Sequence, residues 1–409
     1  MGEKDETGMS ELLVAATRVV LPDRVLHPGW VWVRNGRIVA VGAGQRPRAA
    51  EVLDATGYTL APGLVDIHVH GGAGADFMDG TEDAILRVCD AHLRHGTTSL
   101  VFTTTSAPRP KLRAVLQCAR RWLREAAGSR ARPTARLLGV HLYGPFFGPE
   151  AVGCHSAAFL EQPDEAVLRE FFDFAHVLLG VTVAPEVPGW ERIAREANRL
   201  GLRIHVGHSN ATFQQFQAAV ELGASHVDHL YCAMSDKSKL RRRQPYPMQG
   251  GVLEGTLFFD HVTTELIADG KHLAPELLAL AFKLKGPQRL ALVTDCNRAL
   301  DMPDGEYVFG PQDCGPVFIK RDGVGQMPDG SGLASSCVPL LHCARVFRAA
   351  TGCSLPELFQ VAALTPARIV GCSAEVGSIE PGKRADLVVV DDDLQLHGLL
   401  LGGIPLRLP

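Results

Sequence analysis

Residues 64–105 contain the pattern that decides the fold: LVDIHVH (64–70), DAILRVCDAHLRHG (83–96) and TSLVFTTT (98–105). The first and third segments are short apolar runs, which are typical of buried strands. The segment between them has apolar residues at the spacing of a helix that packs on one face. A strand, a helix and a second strand in this order predict two parallel strands joined by a crossover helix.

The same alternation continues outward to about residue 295. Segments such as RLLGVHLYG (136–144) and RLALVTD (289–295) resemble strands, and WERIAREANRLG (190–201) has the pattern of an intervening helix. About eight repeats of this unit suit a closed (β/α)8 TIM barrel of the α/β class. We therefore predict that residues 62–372 form this barrel.

Both ends of the chain have a different texture. WVWVRNGRIVAVG (30–42) and SIEPGKRADLVVVDDDLQL (378–396) carry β-branched runs broken by Asn, Gly and Pro, without a long helical pattern. Such runs are typical of short strands and turns. We expect residues 1–61 and 373–409 to form a small β-sandwich domain together.

Composition excludes several classes of function. The chain has 409 residues with 41 Lys and Arg against 45 Asp and Glu, a balance without the basic stripe of a nucleic-acid binder. Apolar runs stay short of a membrane span, and the charged start MGEKDETGMSELL lacks the apolar core of a signal peptide. The ten cysteines form no CxxC pair, which favours free thiols in a reducing, cytoplasmic location.

The predicted strand ends collect metal-ligand residue types. Side chains two apart on a strand share a face, so His68 and His70 at the end of strand 1 point the same way. Barrel enzymes place their chemistry at this end of the strands, and imidazole with carboxylate is a typical zinc ligand set. The other such residues stand at the ends of strands 3, 5, 6, 7 and 8: His141, His205, His208, His226, Asp228, His229, Asp269, His272 and Asp295.

Longer motifs add a resemblance to a known family. They include APGLVDIHVHGGAGADF (61–77), LLGVHLYGPFFGPEAVGCH (137–155), HVGHSNAT (205–212), VDHLYCAM (227–234) and GSIEPGKRADLVVVDD (377–392). Together they resemble the N-acetylglucosamine-6-phosphate deacetylases of the metal-dependent amidohydrolase superfamily, over nearly the whole chain. The resemblance implies a barrel with a terminal β-sandwich, a divalent metal cofactor, a small amino-sugar substrate and a homodimer.

The resemblance also implies roles for the metal-binding and catalytic residues. His208 and His229 match the two histidine ligands of the family. Asp295 matches the catalytic aspartate, which takes a proton from the metal-activated water and passes it to the leaving amine. His68 and His70 match the pair that some members use for a second metal.

Four further residues match substrate contacts of the family. His155 matches a histidine that contacts the sugar. His272 matches a histidine that reaches the substrate phosphate across a dimer interface. Cys232 and Ala233 match the segment whose backbone meets the ligand.

Three departures from the family pattern matter. The family motif His-Leu-Glu-Gly-Pro, whose Glu is a metal ligand, here carries Tyr143 in place of that Glu. Cys232 stands where the family has Asn. The segment SDKSKLRRRQPYPMQGG (235–251) is rewritten, and Arg243 or a neighbouring arginine (241, 242) replaces the family's phosphate-binding Arg.

A neutral phenol is a poor substitute for a carboxylate ligand. We therefore expect one zinc ion held by His68, His70, His208 and Asp295, with His229 hydrogen-bonded to the attacking water and Tyr143 close to the acyl oxygen. Two alternatives stay open. In one, His229 is still a ligand and a second metal binds weakly, and in the other the site is inactive.

The expected reaction is hydrolysis of the N-acetyl amide of an amino sugar, with N-acetylglucosamine 6-phosphate as the leading substrate. A different or unphosphorylated N-acyl sugar is one alternative. The other is a non-catalytic protein that binds an amino-sugar phosphate. The sequence does not determine the metal count, the need for the phosphate or the oligomeric state.

Overall fold

The computed structural model describes residues 11–49, 51–125, 133–244 and 246–407. The first ten residues, part of the segment predicted not to be a signal peptide, lie outside these ranges. Within the ranges, no helix is both long enough and apolar enough to cross a lipid bilayer.

Eight parallel strands form the central sheet and follow one another around it in chain order. The predicted (β/α)8 barrel is thus confirmed. All six residues of the first strand are buried, because helices cover the outer face of such a sheet and side chains fill its interior. The strands are Leu64–Val69, Thr97–Thr103, Arg136–Leu142, Leu178–Val183, Arg203–Val206, Ala224–Val227, Thr263–Ile267 and Leu290–Val293.

Backbone hydrogen bonds beyond the eighth strand join it to the first. The N–H of Asp295 donates to the carbonyl of His68 at 2.9 Å, and the N–H of His70 donates to the carbonyl of Cys296 at 2.9 Å. These bonds lie at the C-terminal end of the barrel. They place Asp295 beside the two histidines of strand 1.

Helices follow the strands, and local sequence signals explain their positions. The helix Glu82–Arg94 begins after Thr81, whose hydroxyl accepts a hydrogen bond from the Ala84 N–H at 3.1 Å, and its Ile85 and Val88 are buried. The other helices of eight or more residues are Arg109–Arg124, Glu165–Phe172, Trp190–Arg199, Phe213–Glu221, Pro275–Lys285 and Leu340–Thr351. Shorter ones are Phe77–Asp79, Ala157–Phe159, Lys237–Arg241, Val252–Phe258, Leu355–Phe359, Gln360–Leu364 and Thr365–Ile369.

Strands from both chain ends form a second sheet, which confirms a terminal β domain. Leu387–Val390 pairs antiparallel with Val52–Pro62, and the sheet has an apolar core of its own. Hydrogen bonds join all of its strands into one continuous eight-stranded sheet. The predicted domain limits, 1–61, 62–372 and 373–409, stay predictions. Its other strands are Glu11–Val20, Val25–Leu26, Gly29–Arg34, Arg37–Ala43, Leu396–Leu401 and Ile404–Leu406.

A smaller antiparallel sheet follows the eighth barrel strand, and the sequence analysis did not separate it from the barrel. Leu333 and Ser335, on its last strand, line the cavity described next. Its strands are Gly305–Val308, Val317–Arg321, Val324–Gln326 and Leu333–Ser336. A two-stranded ribbon, Gly71–Gly72 with Ala75–Asp76, follows the first barrel strand.

Candidate active site

A cavity of about 440 Å³ opens at the C-terminal end of the barrel. His68 and His70 lie buried beside its floor, next to Asp295. The structure therefore gathers candidate residues from six strand ends at one cavity. Those that line the cavity are Tyr143, His155, His208, His229, Cys232, Ala233, His272 and Asp295. His205, His226 and Asp228, which the structure also describes, are buried and are not part of its lining.

Three candidate ligands converge at the floor of this cavity. Oδ1 of Asp295 lies 3.0 Å from Nε2 of His70 and 3.6 Å from Nε2 of His68. The ligand atoms of these three buried side chains lie within 4.8 Å of one another. Two imidazoles and a carboxylate at this spacing match the ligand types that zinc prefers.

The protons of the two imidazoles support a cation at this point. Nδ1 of His70 lies 3.1 Å from the Thr103 carbonyl, and Nδ1 of His68 lies 2.5 Å from Oε1 of Glu265. A carbonyl and a carboxylate only accept, so each Nδ1 carries a proton and Nε2 is the ligand atom left on each ring. Nε2 of His68 is buried without a hydrogen-bond partner. When deprotonated, the two Nε2 atoms and the carboxylate that they face fit a divalent ion between them.

The charges of these groups describe the site without a metal. Burial lowers the pKa of His68, but the carboxylates of Glu265, Asp295 and Asp228 outweigh it and raise the pKa to about 9, so the ring is protonated at neutral pH. Burial raises the pKa of Asp295, and the hydrogen bond from His70 with the neighbouring imidazoles brings it down to about 2. A divalent cation would displace the proton on Nε2 of His68 and take its place beside the Asp295 carboxylate.

The His229 ring lies 5.4 Å from the His68 ring between centroids, but its hydrogen bond goes to Tyr143. The Tyr143 hydroxyl lies 2.6 Å from Nε2 of His229, and Nδ1 of His229 is buried without a hydrogen-bond partner. Burial raises the pKa of Tyr143 well above its usual value, so the phenol is neutral. The two side chains form a hydrogen-bonded pair on the wall of the cavity.

His208 also lies apart from the three converging ligands. Its Nδ1 donates to the Ala151 carbonyl at 2.7 Å, and its ring stacks on Phe147 at 4.1 Å between centroids. Burial lowers its pKa well below the usual value, which keeps the ring neutral. In the described part of the chain there are three groups of candidate ligands, and within each group the ligand atoms lie within 4.8 Å of one another. His208 belongs to none of these groups.

The predicted substrate contacts lie on the walls. His155 is buried, and its Nδ1 accepts a hydrogen bond from the Ser106 N–H at 3.4 Å. His272 lines the cavity of its own chain, where its Nδ1–H donates to Asp269 at 2.7 Å. Its predicted position across a dimer interface stays a prediction.

The rewritten segment brings a different cation to the cavity than the one predicted. Lys239 lines the cavity, and its ammonium donates to the Met234 carbonyl at 2.6 Å. Arg243 forms an ion pair with Glu150 and lines a neighbouring cavity of about 410 Å³. As far as the structure describes the chain, Arg243 is not part of the lining of the main cavity.

Left-handed backbone conformations occur at three of the candidate metal-binding residues, with φ of 46° at His208, 23° at His229 and 49° at Asp295. Such conformations cost free energy for residues other than glycine, and they concentrate at functional sites. Here each directs a side chain toward the cavity directly after its strand. The surrounding hydrogen bonds hold these turns in place.

Sequence reasoning missed Glu265, Thr103 and Lys239. Glu265 stands between Thr264 and Leu266 in a predicted buried strand. A charged residue is rarely buried without a partner, so its position there could have indicated a role in the site. Thr103 acts through its backbone carbonyl, for which the sequence gives no signal. Lys239 belongs to KSKLRRR (237–243), in which the sequence does not tell one cation from another.

Comparisons with known proteins agree with this geometry. Residues 59–404 match the Amidohydrolase family. The chain is 33% identical over 388 residues to N-acetylglucosamine-6-phosphate deacetylase of Bacillus subtilis, which covers 94% of each protein. It is 32% identical over 391 residues to N-acetylgalactosamine-6-phosphate deacetylase of Escherichia coli O157:H7, and this match covers 95% of the chain and 98% of that protein.

Solved structures give the same result. A mutant N-acetyl-D-glucosamine-6-phosphate deacetylase from Mycobacterium smegmatis, in complex with N-acetyl-D-glucosamine-6-phosphate, superposes with a TM-score of 0.86 and 31% identity. The match covers 97% of this chain and 99% of that one. The resemblance of the motifs is thereby confirmed, and the chain belongs to the amidohydrolase family.

Proposed function

We propose that this protein is a metal-dependent deacetylase that hydrolyses the N-acetyl amide of an amino sugar 6-phosphate and releases acetate. N-acetylglucosamine 6-phosphate is the first candidate substrate. The observation that carries the proposal is the convergence of two imidazole Nε2 atoms on the Asp295 carboxylate, at the floor of a cavity of about 440 Å³. The deacetylase relatives supply the substrate class.

A second candidate is N-acetylgalactosamine 6-phosphate. The relative from Escherichia coli O157:H7 carries this name and is 32% identical to the chain, close to the 33% of the Bacillus subtilis relative. Overall identity therefore does not separate the two substrates. They differ in the configuration of one ring hydroxyl, which the cavity wall has to recognise.

In this proposal His68, His70 and Asp295 hold one zinc ion. When bound, the ion supplies Lewis-acid chemistry that acidifies water and polarises an acyl oxygen. His208 stays a candidate fourth ligand, since the bond from Nδ1 to Ala151 leaves its Nε2 bare. His229 is proposed as a hydrogen-bonding group, because its Nε2 faces Tyr143.

Asp295 is the proposed proton carrier. Its low pKa keeps the carboxylate ionised at neutral pH, ready to accept a proton from the attacking water. The same carboxyl group then donates the proton to the amine nitrogen as the C–N bond breaks. Asp295 is suited to this because it faces both the strand-1 histidines and the cavity.

Tyr143 is the proposed donor to the acyl oxygen. A buried N–H without an acceptor is costly, so the unpartnered Nδ1 of His229 favours the proton on Nε2. Nε2–H then donates to the Tyr143 oxygen, and the phenol keeps its own proton for the substrate. A donor aimed at the developing oxyanion lowers the reaction barrier.

The remaining substrate contacts are proposed along the walls. His155, Cys232 and Ala233 surround the sugar, as the family resemblance implies. Lys239 and His272 line the same cavity and supply groups suited to a phosphate. The predicted role of Arg243 competes with that of Lys239 and is tested below.

The test measures zinc per chain and acetate release on the same samples. We expect about one zinc per chain in the wild type, and loss of both zinc and activity in His68→Ala/His70→Ala. His397→Ala, on the terminal sheet, is the matched control and should keep both. Metal and activity retained in the double variant would instead assign the ion to His208 and His229.

The choice of substrate decides between the remaining alternatives. Acetate release is measured with the 6-phosphates of N-acetylglucosamine and N-acetylgalactosamine and with unphosphorylated N-acetylglucosamine. Turnover of only one 6-phosphate identifies the sugar. Binding of a sugar phosphate without any acetate release would favour the non-catalytic protein.

A homodimer and a cytoplasmic location are the last parts of the proposal. The ten cysteines form no CxxC pair, which supports a reducing compartment. The dimer is an expectation from the family resemblance. Light scattering of the purified protein tests it directly, with a mass of twice 44.0 kDa expected.

A further inference from the structure

A layer of polar side chains lies inside the barrel, beneath the candidate metal ligands. Among them Glu265, on the seventh strand, is 1% exposed and Asp228, after the sixth, is fully buried. A buried carboxylate is costly unless hydrogen bonds and nearby charges compensate it. The partners of each carboxylate therefore show what it does in the fold.

Asp228 has its partners within the layer. Its carboxylate accepts hydrogen bonds from Nδ1 of His205 at 2.9 Å and from the Thr182 hydroxyl at 2.6 Å. The Thr182 oxygen in turn accepts from Nε2 of His141 at 2.7 Å. These bonds satisfy the carboxylate without involving the three converging ligands.

Glu265 instead connects the layer to the active site. Oε1 accepts from Nδ1 of His68 at 2.5 Å and from the backbone N–H of His229 at 3.3 Å. Oε2 accepts from Nε2 of His226 at 3.2 Å. One carboxylate thus holds a metal-ligand candidate on strand 1 and the left-handed turn at His229, where φ is 23°.

We propose that Glu265 is a positioning residue for the metal site. It keeps a proton of His68 on Nδ1, so that Nε2, which faces Asp295, is the atom that binds the metal. It also fixes the orientation of the ring. A carboxylate behind a metal-bound histidine makes the imidazole a better ligand, and losing it typically weakens metal binding by about 10–100-fold.

The inference rests on the proposed metal site, but its test does not need the proposed substrate. Zinc affinity is measured by competition with a chelator of known affinity, in the absence of sugar. Failure of deacetylation and failure of this inference are therefore separate results. Acetate release is used only as a second readout.

Glu265→Gln is the main variant, because glutamine has the same shape. Its amide oxygen can still accept from His68, and its amide N–H can donate to His226 once that ring moves its proton to Nδ1, 2.8 Å from the Thr263 hydroxyl. The fold should therefore tolerate it. Glu265→Leu removes all three hydrogen bonds, those from His68, from the His229 N–H and from His226.

We expect zinc affinity to fall about tenfold in Glu265→Gln and about 100-fold in Glu265→Leu. Saturating zinc should restore the kcat of Glu265→Gln, because the residue does not touch the substrate. Glu186→Gln is the matched control. Glu186 is a half-buried carboxylate bonded to the Ser209 hydroxyl and the Asn210 N–H, and its loss should leave zinc affinity unchanged.

Two results would overturn the inference. One is a zinc affinity of Glu265→Gln within twofold of the wild type. The Glu265→Gln result is sufficient even if Glu265→Leu does not fold. The other is an equal loss of zinc affinity in Glu186→Gln, which would show a general effect of removing a carboxylate near the cavity.

Discussion

Tyr143 is the residue that most distinguishes this site from the family pattern. It ends the third barrel strand, where the resemblance leads us to expect a carboxylate ligand. Its hydroxyl lies 2.6 Å from Nε2 of His229. In the family pattern this histidine and the carboxylate bind a metal together, whereas here the partner of His229 is a neutral phenol. The converging ligands lie on strands 1 and 8, which makes a site with one metal ion the simplest arrangement.

Tyr143→Phe tests the role of the hydroxyl. The phenyl ring keeps the edge contact with Phe147, so the zinc content should not change. We expect kcat to fall about 100-fold or more, because a donor to the oxyanion is lost. Tyr307→Phe, which removes a hydroxyl bonded to the Pro303 carbonyl, should have wild-type kinetics. Zinc lost together with activity in Tyr143→Phe would make Tyr143 part of the metal site.

Lys239→Met tests which cation binds the substrate phosphate. Loss of a charged hydrogen bond costs about 1.5–3 kcal/mol, so KM for the 6-phosphate should rise at least tenfold. KM for the unphosphorylated sugar should stay the same. Arg243→Met is the comparison, because Arg243 is paired with Glu150. A rise confined to Arg243→Met would support the original assignment from the sequence.

At the scale of elements, two helices that follow the rewritten segment are tied together by one buried lysine. Lys285 ends the helix Pro275–Lys285, and its ammonium donates to the carbonyls of Thr256 at 2.9 Å and Phe259 at 3.0 Å. These carbonyls lie at the C-terminal end of the helix Val252–Phe258, where a cation is favourable. Burial nevertheless lowers the pKa of Lys285 to about 8.

This lowered pKa predicts a pH dependence of stability. Between the folded pKa of about 8 and the ordinary value of 10.5, the unfolded chain binds more protons than the folded one. Lys285 therefore contributes more favourably to folding as pH rises through this window. In urea unfolding, we expect the wild type to gain stability relative to Lys285→Met between pH 7.5 and 10.

Lys283→Met is the control for this measurement, because Lys283 is an exposed lysine of the same helix. The difference between the wild type and Lys283→Met should not vary with pH. A constant difference for Lys285→Met as well would show that the Lys285 ammonium is not desolvated.

At the scale of the whole molecule, the candidate metal site coincides with the closure of the barrel. The first and eighth strands meet through the Asp295 N–H and the His68 carbonyl, 2.9 Å apart. The side chains of the same two residues converge on the proposed ion. Bound metal would therefore join the two ends of the central sheet as well as serve the reaction.

Removal of the metal should lower thermal stability. A ligand at about 100 times its Kd stabilises the folded state by about 2.7 kcal/mol, which corresponds in a chain of this length to a fall in Tm of about 3 °C on chelation. Differential scanning calorimetry with and without chelator measures this difference. Asp295→Ala should show the same Tm in both conditions, and a chelator effect that persists in this variant would place the ion elsewhere.

Much of the architecture follows from local patterns. The strand–helix alternation predicted the barrel, and the β-branched runs at both chain ends predicted the terminal β domain. The sequence did not separate the four-stranded sheet after residue 304, because its short strands have no counterpart in the barrel pattern. It also did not show that the terminal strands join in one continuous sheet, since this depends on pairing between Val52–Pro62 and Leu387–Val390.

The sequence by itself determined which side chains could carry chemistry. His68 and His70 share a face because alternate residues of a strand do, and Asp295 reaches the same end of the barrel because all eight strands are parallel. Only the tertiary structure decided how these groups pair. Glu265 meets His68 across 197 residues of chain. Such pairs depend on strand stagger and side-chain rotamers in the closed barrel, which local periodicity does not encode.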